Sequence, residues 1–202
     1  MTNPIIDKIR KLKAKAEGTN NEHEAEAFSR KVASLMAEYH LSEADIVPEE
    51  RSERIRHEFN LKYAGGWRDK LAIVIGQMCA VKHLSYQNST RRVYYGRPLA
   101  CEAAEETLHY LISEVIRVSR VLFPGDTNAA KRAEKGVAIG LCNIIFRIIE
   151  ANRHTSTTLP MVMELEEAEK DLTKQGIPVY NRAQTRIDSH EALTGARNAD
   201  MV

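Results

Sequence analysis

Residues 55–67, IRHEFNLKYAGGW, decide the fold class predicted for this 202-residue chain. From Ile55 to Tyr63, large side chains stand at every second position with polar or charged ones between them. This is the period of a half-buried β-strand. Gly65 and Gly66 then break the pattern, and Trp67 opens a stretch with the apolar spacing of an amphipathic helix. A strand that leads into a helix within so few residues predicts an α+β fold.

The segments on either side extend this prediction. Two amphipathic helices precede the strand, because Gly18 suits a helix end and Thr19 with Glu22 has the spacing of a capping box. Further on, the pattern predicts strands over 82–87 and 91–95, helices over 98–123 and 127–152, a loop over 155–163 and an acidic helix over 164–174. The predicted fold class is therefore α+β and mostly helical, with an N-terminal helical hairpin and a small three-stranded sheet packed on two long helices.

The chain divides into three predicted regions. The segment VPEE at residues 47–50 changes the composition between the helical start and the first strand, and it is the best candidate linker. We predict an N-terminal helical module over 1–47, an α+β core domain over 52–153, and a partly mobile region over 154–202. That last region is expected to contain loops and short helices, including a final helix over 190–199.

Positive charge is concentrated in one segment. Residues 51–97 hold ten basic and three acidic side chains, although the whole chain has a net charge of only +1. Such local asymmetry is typical of a surface that binds an anion. Basic and aromatic side chains on a sheet can hold single-stranded nucleic acid by charge and stacking. The residues predicted to contact nucleic acid are Arg54, Arg56, Lys62, Arg91, Arg92 and Arg97 at phosphates, with Tyr94 and Tyr95 able to stack or pack. Tyr86 belongs to the same pattern. The alternative is a solvated sheet face on which lysine and arginine protect the edges from aggregation.

Several short motifs follow one another in the first 45 residues. They are Lys8–Leu12 (KIRKL), Ala16-Glu17, Thr19-Asn20, Glu22–Ala25 (EHEA) and Leu41–Asp45 (LSEAD). In this order they resemble an uncharacterised domain family found at the start of many phage and prophage proteins. The resemblance covers about the first fifth of the chain. It implies a setting in a phage or mobile element, where DNA metabolism and evasion of host defence are common tasks, and it implies no catalytic residue.

Composition places the chain among ordinary globular proteins. It is 43% hydrophobic and 28% charged, and no apolar run approaches the roughly 18 residues that a membrane span needs. The first residues lack the apolar core of a secretory signal. Cys79, Cys101 and Cys142 form no CxxC pair, and their odd number fits reduced, buried thiols better than a disulfide framework. We therefore expect a protein of the cytoplasm, that of the host cell if it is phage-encoded, with no membrane association.

The catalytic motifs that a sequence can display are missing. The His-Glu pairs at residues 23, 57 and 190 have no second histidine four positions later, as a zinc protease motif requires. There is also no Walker A, GxGxxG or GxSxG pattern. Cys101 at a helix start has no evident histidine partner. We therefore predict no catalytic residue, no metal ligand and no cofactor.

Three hypotheses about function follow. The leading one is a non-catalytic accessory protein, of phage or prophage type, that binds nucleic acid or a nucleoprotein in DNA metabolism. The alternative is an anti-defence protein, which inhibits a host defence or replication enzyme through its acidic helices and C-terminal region. The third is a metal-dependent hydrolase of novel arrangement. A homodimer through the apolar residues 137–149 is an alternative to burial of that segment within one chain.

Overall fold

A three-stranded antiparallel sheet and six helices make up the described part of the protein. The structure is a computed structural model and describes residues 4–17, 24–44, 52–63, 65–86, 89–152 and 159–177. The elements are α1 (Pro4–Glu17), α2 (Glu24–Ala44), β1 (Ile55–Asn60), α3 (Trp67–Met78), β2 (Lys82–Ser85), β3 (Arg91–Gly96), α4 (Pro98–Leu122), α5 (Thr127–Asn152) and α6 (Leu159–Lys174). This confirms the predicted α+β class with mostly helical content.

Strand β3 lies in the middle of the sheet. The order is β1-β3-β2, and both neighbours run antiparallel to β3. Tyr94 of β3 stands opposite His57 on one side and His83 on the other. The strand predicted to reach Tyr63 ends earlier, at Asn60, although Leu61 N–H still donates to Thr90 O at 2.9 Å.

One face of the sheet packs on α3 and α4. The Tyr94 ring stacks on Phe59 with 4.8 Å between centroids, and its hydroxyl donates to Ala72 O of α3 at 3.0 Å. Helix α3 comes very close to the chain just before β2. A Cβ at Gly76 would lie 2.9 Å from Val81 O and 3.3 Å from Tyr94, so the absence of a side chain permits this contact.

One apolar cluster of the described residues joins helices α1 to α5. It includes Ile6 and Ile9 of α1, Val32 of α2, Leu108 of α4 and Ile145 of α5, all with no measurable exposure. Helices α1 and α2 thus contribute to the same core as the α+β part. The predicted division into three regions stays a prediction.

One local prediction needs correction. The last five residues of the predicted loop over 155–163 belong to α6, because Pro160 fits the first turn, where a missing N–H costs nothing. In α5, a Cβ at Gly140 would meet no atom of the described residues within 4 Å. The predicted helix over 190–199 lies outside the described residues. Within those ranges, no helix combines the length and the apolar character that crossing a bilayer requires.

Candidate nucleic-acid interface

Strand alternation divides the predicted residues between the two sheet faces. Neighbouring side chains on a strand point to opposite sides. Arg92 and Tyr94 therefore lie on the face that packs against helices α3 and α4. Arg91 and Tyr95 lie on the other face, opposite Asn60 and Arg56 of β1. The two faces offer very different environments.

Arg92 and Tyr94 are internal structural residues here. Arg92 is 2% exposed, and its Nε and Nη2 donate to the two carboxylate oxygens of Asp69 at 2.6 and 2.9 Å. Its Nη1 donates to Ser89 O at 2.5 Å and to Arg91 O at 2.8 Å. Tyr94 is fully buried, and that burial raises the pKa of its hydroxyl well above the usual value. Neither side chain offers a surface to a ligand in this structure.

Helix α6 covers one end of the outer face. Tyr95 is 5% exposed and packs against Ala168 and Leu172 of α6. Arg97 is 8% exposed, its Nε lies 3.1 Å from Glu164 Oε1, and its Nη1 donates to Ser52 O. Arg54 Nε also lies 2.7 Å from Glu164 Oε1. Arg54, Tyr95 and Arg97, three of the predicted contact residues, therefore already have partners within the chain.

The other end of the outer face is open. Arg56 Nη2 donates to Tyr86 Oη at 3.0 Å, so the Tyr86 side chain reaches across β3 from the β2 side towards β1. Arg91 Cζ lies 5.3 Å from the centre of the Tyr86 ring, and its guanidinium also pairs with the carboxylate of Glu58. Tyr86 is 39% exposed. We call Arg56, Tyr86 and Arg91 the open strip.

A second group of cations and rings lies just beyond β1. Lys62 Nζ is 5.7 Å from the centre of the Tyr63 ring, and Arg68 Cζ lies 5.0 Å from that ring and 4.1 Å from the Trp67 ring. Tyr63 is 55% exposed, with the Arg68 cation near one side of its ring. Of this group, only Lys62 was among the predicted contact residues. The aromatic and cationic residues on both sides of Gly65-Gly66 could have indicated the others.

A carboxylate between two histidines ties β1 to α4. Glu105 Oε2 lies 2.5 Å from His57 Nε2, and Glu105 Oε1 lies 3.4 Å from His109 Nε2. Hydrogen bonds from His109 and then His57 lower the pKa of Glu105, against the opposing effect of its burial. The spacing of Glu105 and His109 could have been found in the sequence, but the contact with His57 could not, because it joins distant elements.

Other chemistry finds little support in the described residues. Among them, no three histidine, cysteine or acidic side chains are placed so that they could hold a metal ion. The three cysteines are free and buried, and burial raises the thiol pKa of Cys101 and of Cys142 to about 12. A thiol in that state is a poor nucleophile, because the reactive form is the thiolate.

Comparison with known proteins adds a family match to the N-terminal helices. Residues 5–43 match the model of a family described as a protein of unknown function (DUF2786). The match spans nearly all of α1 and most of α2, the region that resembles an uncharacterised domain. No curated protein and no solved structure matches the chain.

Proposed function

We propose that this protein binds single-stranded nucleic acid, free or within a nucleoprotein, through the open strip and the neighbouring Lys62–Arg68 group, without catalysing a reaction. The observation that carries the proposal is the arrangement of Arg56 and Arg91 around the exposed ring of Tyr86. Cations bind successive phosphates, and an exposed ring stacks on a base of any sequence. The N-terminal resemblance supports a setting in phage or prophage DNA metabolism.

The geometry favours a single strand over a duplex. A duplex buries its bases, so it cannot use an exposed ring for stacking, whereas a single strand can. Tyr86 and Tyr63 are both more than a third exposed, and both have an arginine within about 5 Å of the ring. The carboxylate of Glu58 competes for Arg91, so we expect moderate affinity.

The direct test is fluorescence anisotropy of labelled single- and double-stranded DNA and RNA across a salt series. Arg56→Gln with Lys62→Gln should make the logarithmic salt dependence shallower by about 0.7 for each lost phosphate contact. Arg147→Gln with Lys131→Gln, which changes an exposed arginine and an exposed lysine of α5, is the matched control. No binding at low salt, or an equal effect of the control, would refute the proposal.

Stacking is tested separately from charge. Tyr86→Ala should weaken binding by about 1–3 kcal/mol, since it removes the ring on which a base would stack. Tyr86→Phe keeps the ring and loses only the hydrogen bond from Arg56. Binding that depends on the hydroxyl and not on the ring would argue against stacking.

A protein partner is the second candidate function. Val121 and Phe123, at the end of α4 and just beyond it, are 61% and 40% exposed, and large apolar side chains on a surface can mark a protein contact. The test is a pull-down from host lysate with and without nuclease. A partner that survives nuclease treatment and is lost with Val121→Ser and Phe123→Ser would favour a protein partner, and an assay of that partner's activity would test inhibition, whereas loss on nuclease would favour nucleic acid.

A further inference from the structure

The carboxylates of α6 converge on one arginine of the sheet. Arg54 Nε lies 2.7 Å from Glu164 Oε1, its Nη2 lies 2.5 Å from Glu167 Oε2, and its Nη1 lies 2.7 Å from Asp171 Oδ2. Acidic residues three and four positions apart share one face of a helix. Burial alone would lower the pKa of Arg54, but these hydrogen bonds raise it overall. The arginine is thus held charged by a row of three carboxylates.

The same helix pairs with two further cations. Lys82 Nζ lies 2.6 Å from Glu169 Oε2, and Arg97 Nε lies 3.1 Å from Glu164 Oε1. We call Arg54, Lys82 and Arg97 the covered cations. Lys82 pairs with Tyr95 on the outer face, which also carries Arg56 and Arg91 of the open strip. Arg54 and Arg97 lie just outside β1 and β3 and continue the alternation of Arg56 and Tyr95. Phosphate and carboxylate groups make the same kind of contact with arginine and lysine.

The apolar contact beneath α6 is small. Tyr95, Ala168 and Leu172 form a buried cluster that is separate from the main core, and the partly buried Leu84 and Ile177 pack against it. Helix α6 also contacts α2, so its displacement from the sheet requires it to move relative to α2 as well. The outer carboxylates keep contact with water, since the side chains of Glu167, Glu169 and Asp171 are 45%, 35% and 32% exposed. Salt and competing anions weaken ion pairs of this exposure. A large share of what holds α6 on the sheet is therefore open to competition.

We propose that the covered cations are a second binding site for the phosphates of a single strand, and that α6 occupies this site until the strand displaces it. This proposal rests on the proposed function, because the strand must first bind the open strip. Phosphates then replace the α6 carboxylates, those of Glu164, Glu167, Glu169 and Asp171, at all three covered cations. A strand that covers only the open strip leaves α6 in place.

The test compares the wild type with Glu167→Gln, Glu169→Gln, Asp171→Asn, in which buried Glu164 is retained. Each partly exposed pair contributes a factor of about two to five, so the triple variant should bind a strand of about 16 nucleotides about 10- to 100-fold more tightly. Adding that strand to the wild type should increase hydrogen exchange of the α6 amides. Glu167→Gln alone is matched by Glu166→Gln, its exposed neighbour on the same helix, which should leave the affinity unchanged.

The outcomes separate the two proposals. Binding that depends on Arg56, with unchanged exchange in α6 and equal affinities of the triple variant and Glu166→Gln, overturns the displacement of α6 and leaves the open strip standing. Equal tightening by Glu166→Gln and Glu167→Gln also overturns it, because the effect would then be general charge reduction. No binding by either the wild type or the triple variant overturns both proposals.

Discussion

Substitution of two adjacent arginines should lower stability by very different amounts. Arg92→Ala removes a guanidinium that is 2% exposed and donates to both oxygens of Asp69 and to two backbone carbonyls. Removing one partner of a buried pair typically costs about 3–5 kcal/mol. The Asp69 side chain is 20% exposed, so water partly solvates the carboxylate that remains. We therefore expect a loss near the lower end, about 3 kcal/mol.

Arg91→Ala is the matched control. The Arg91 side chain is 51% exposed and that of Glu58 is 45% exposed, and surface pairs of this kind contribute at most about 1 kcal/mol. For a chain of this length, a loss of about 3 kcal/mol lowers Tm by about 6–12 °C. Thermal and urea unfolding followed by circular dichroism measure both variants.

Equal losses of stability in the two variants would refute the assignment of Arg92 to the interior. The comparison also decides how the nucleic-acid proposal is tested. A double substitution of Arg91 and Arg92 by glutamate would combine lost binding with lost folding, because only Arg91 lies on the open strip. Of these two arginines, binding experiments should therefore change only Arg91.

Three further predictions concern glycine, pH and thiols. Gly76→Ala should destabilise the protein by about 1–3 kcal/mol, since its Cβ would lie 2.9 Å from Val81 O. Gly140→Ala should stabilise it by up to about 1 kcal/mol, since alanine favours a helix and its Cβ meets no described atom within 4 Å. Equal urea midpoints of the two variants would contradict this prediction. Burial lowers the pKa of His83 to about 4 in the folded protein, so as the pH falls the unfolded state takes up a proton on this histidine before the folded state does. The resulting stability, up to about 3 kcal/mol, is complete above about pH 6.5 and is lost as the pH falls towards 4. His83→Met should show a smaller fall in urea titrations over that range, and an identical fall would exclude this cause. Cys142, whose pKa burial raises to about 12, should react with a thiol reagent only on unfolding, and rapid labelling of the native protein would show the burial to be wrong.

The sequence pattern predicted the helices and strands well. It also contained information about the site that the prediction of eight nucleic-acid contact residues did not use. A period of two places Arg91 and Arg92 on opposite faces, as it does Tyr94 and Tyr95. Strict use of that rule would have limited each pair to one residue on the face of Arg56. Alternation alone thus separates Arg92 and Tyr94 from Arg91 and Tyr95, and the register of β3 with β1 decides which pair shares the face of Arg56.

The partners of Arg54 could not have been predicted in this way. Its carboxylates lie 110–117 residues further along the chain, on a helix whose beginning the sequence assigned to a loop. Local spacing reports only which face a residue shares with its near neighbours. Which distant helix lies on that face depends on packing of the whole chain, and a single sequence does not display it.

The separation between Arg54 and Glu164 has a consequence for biosynthesis. Translation proceeds at about 5–20 residues per second, so the 110 residues between them take about 5–20 s. The strands of the sheet emerge from the ribosome well before α6 does. During that interval Arg54, Lys82 and Arg97 have no carboxylate of α6 to pair with, and the nascent sheet displays more positive charge than the finished protein does.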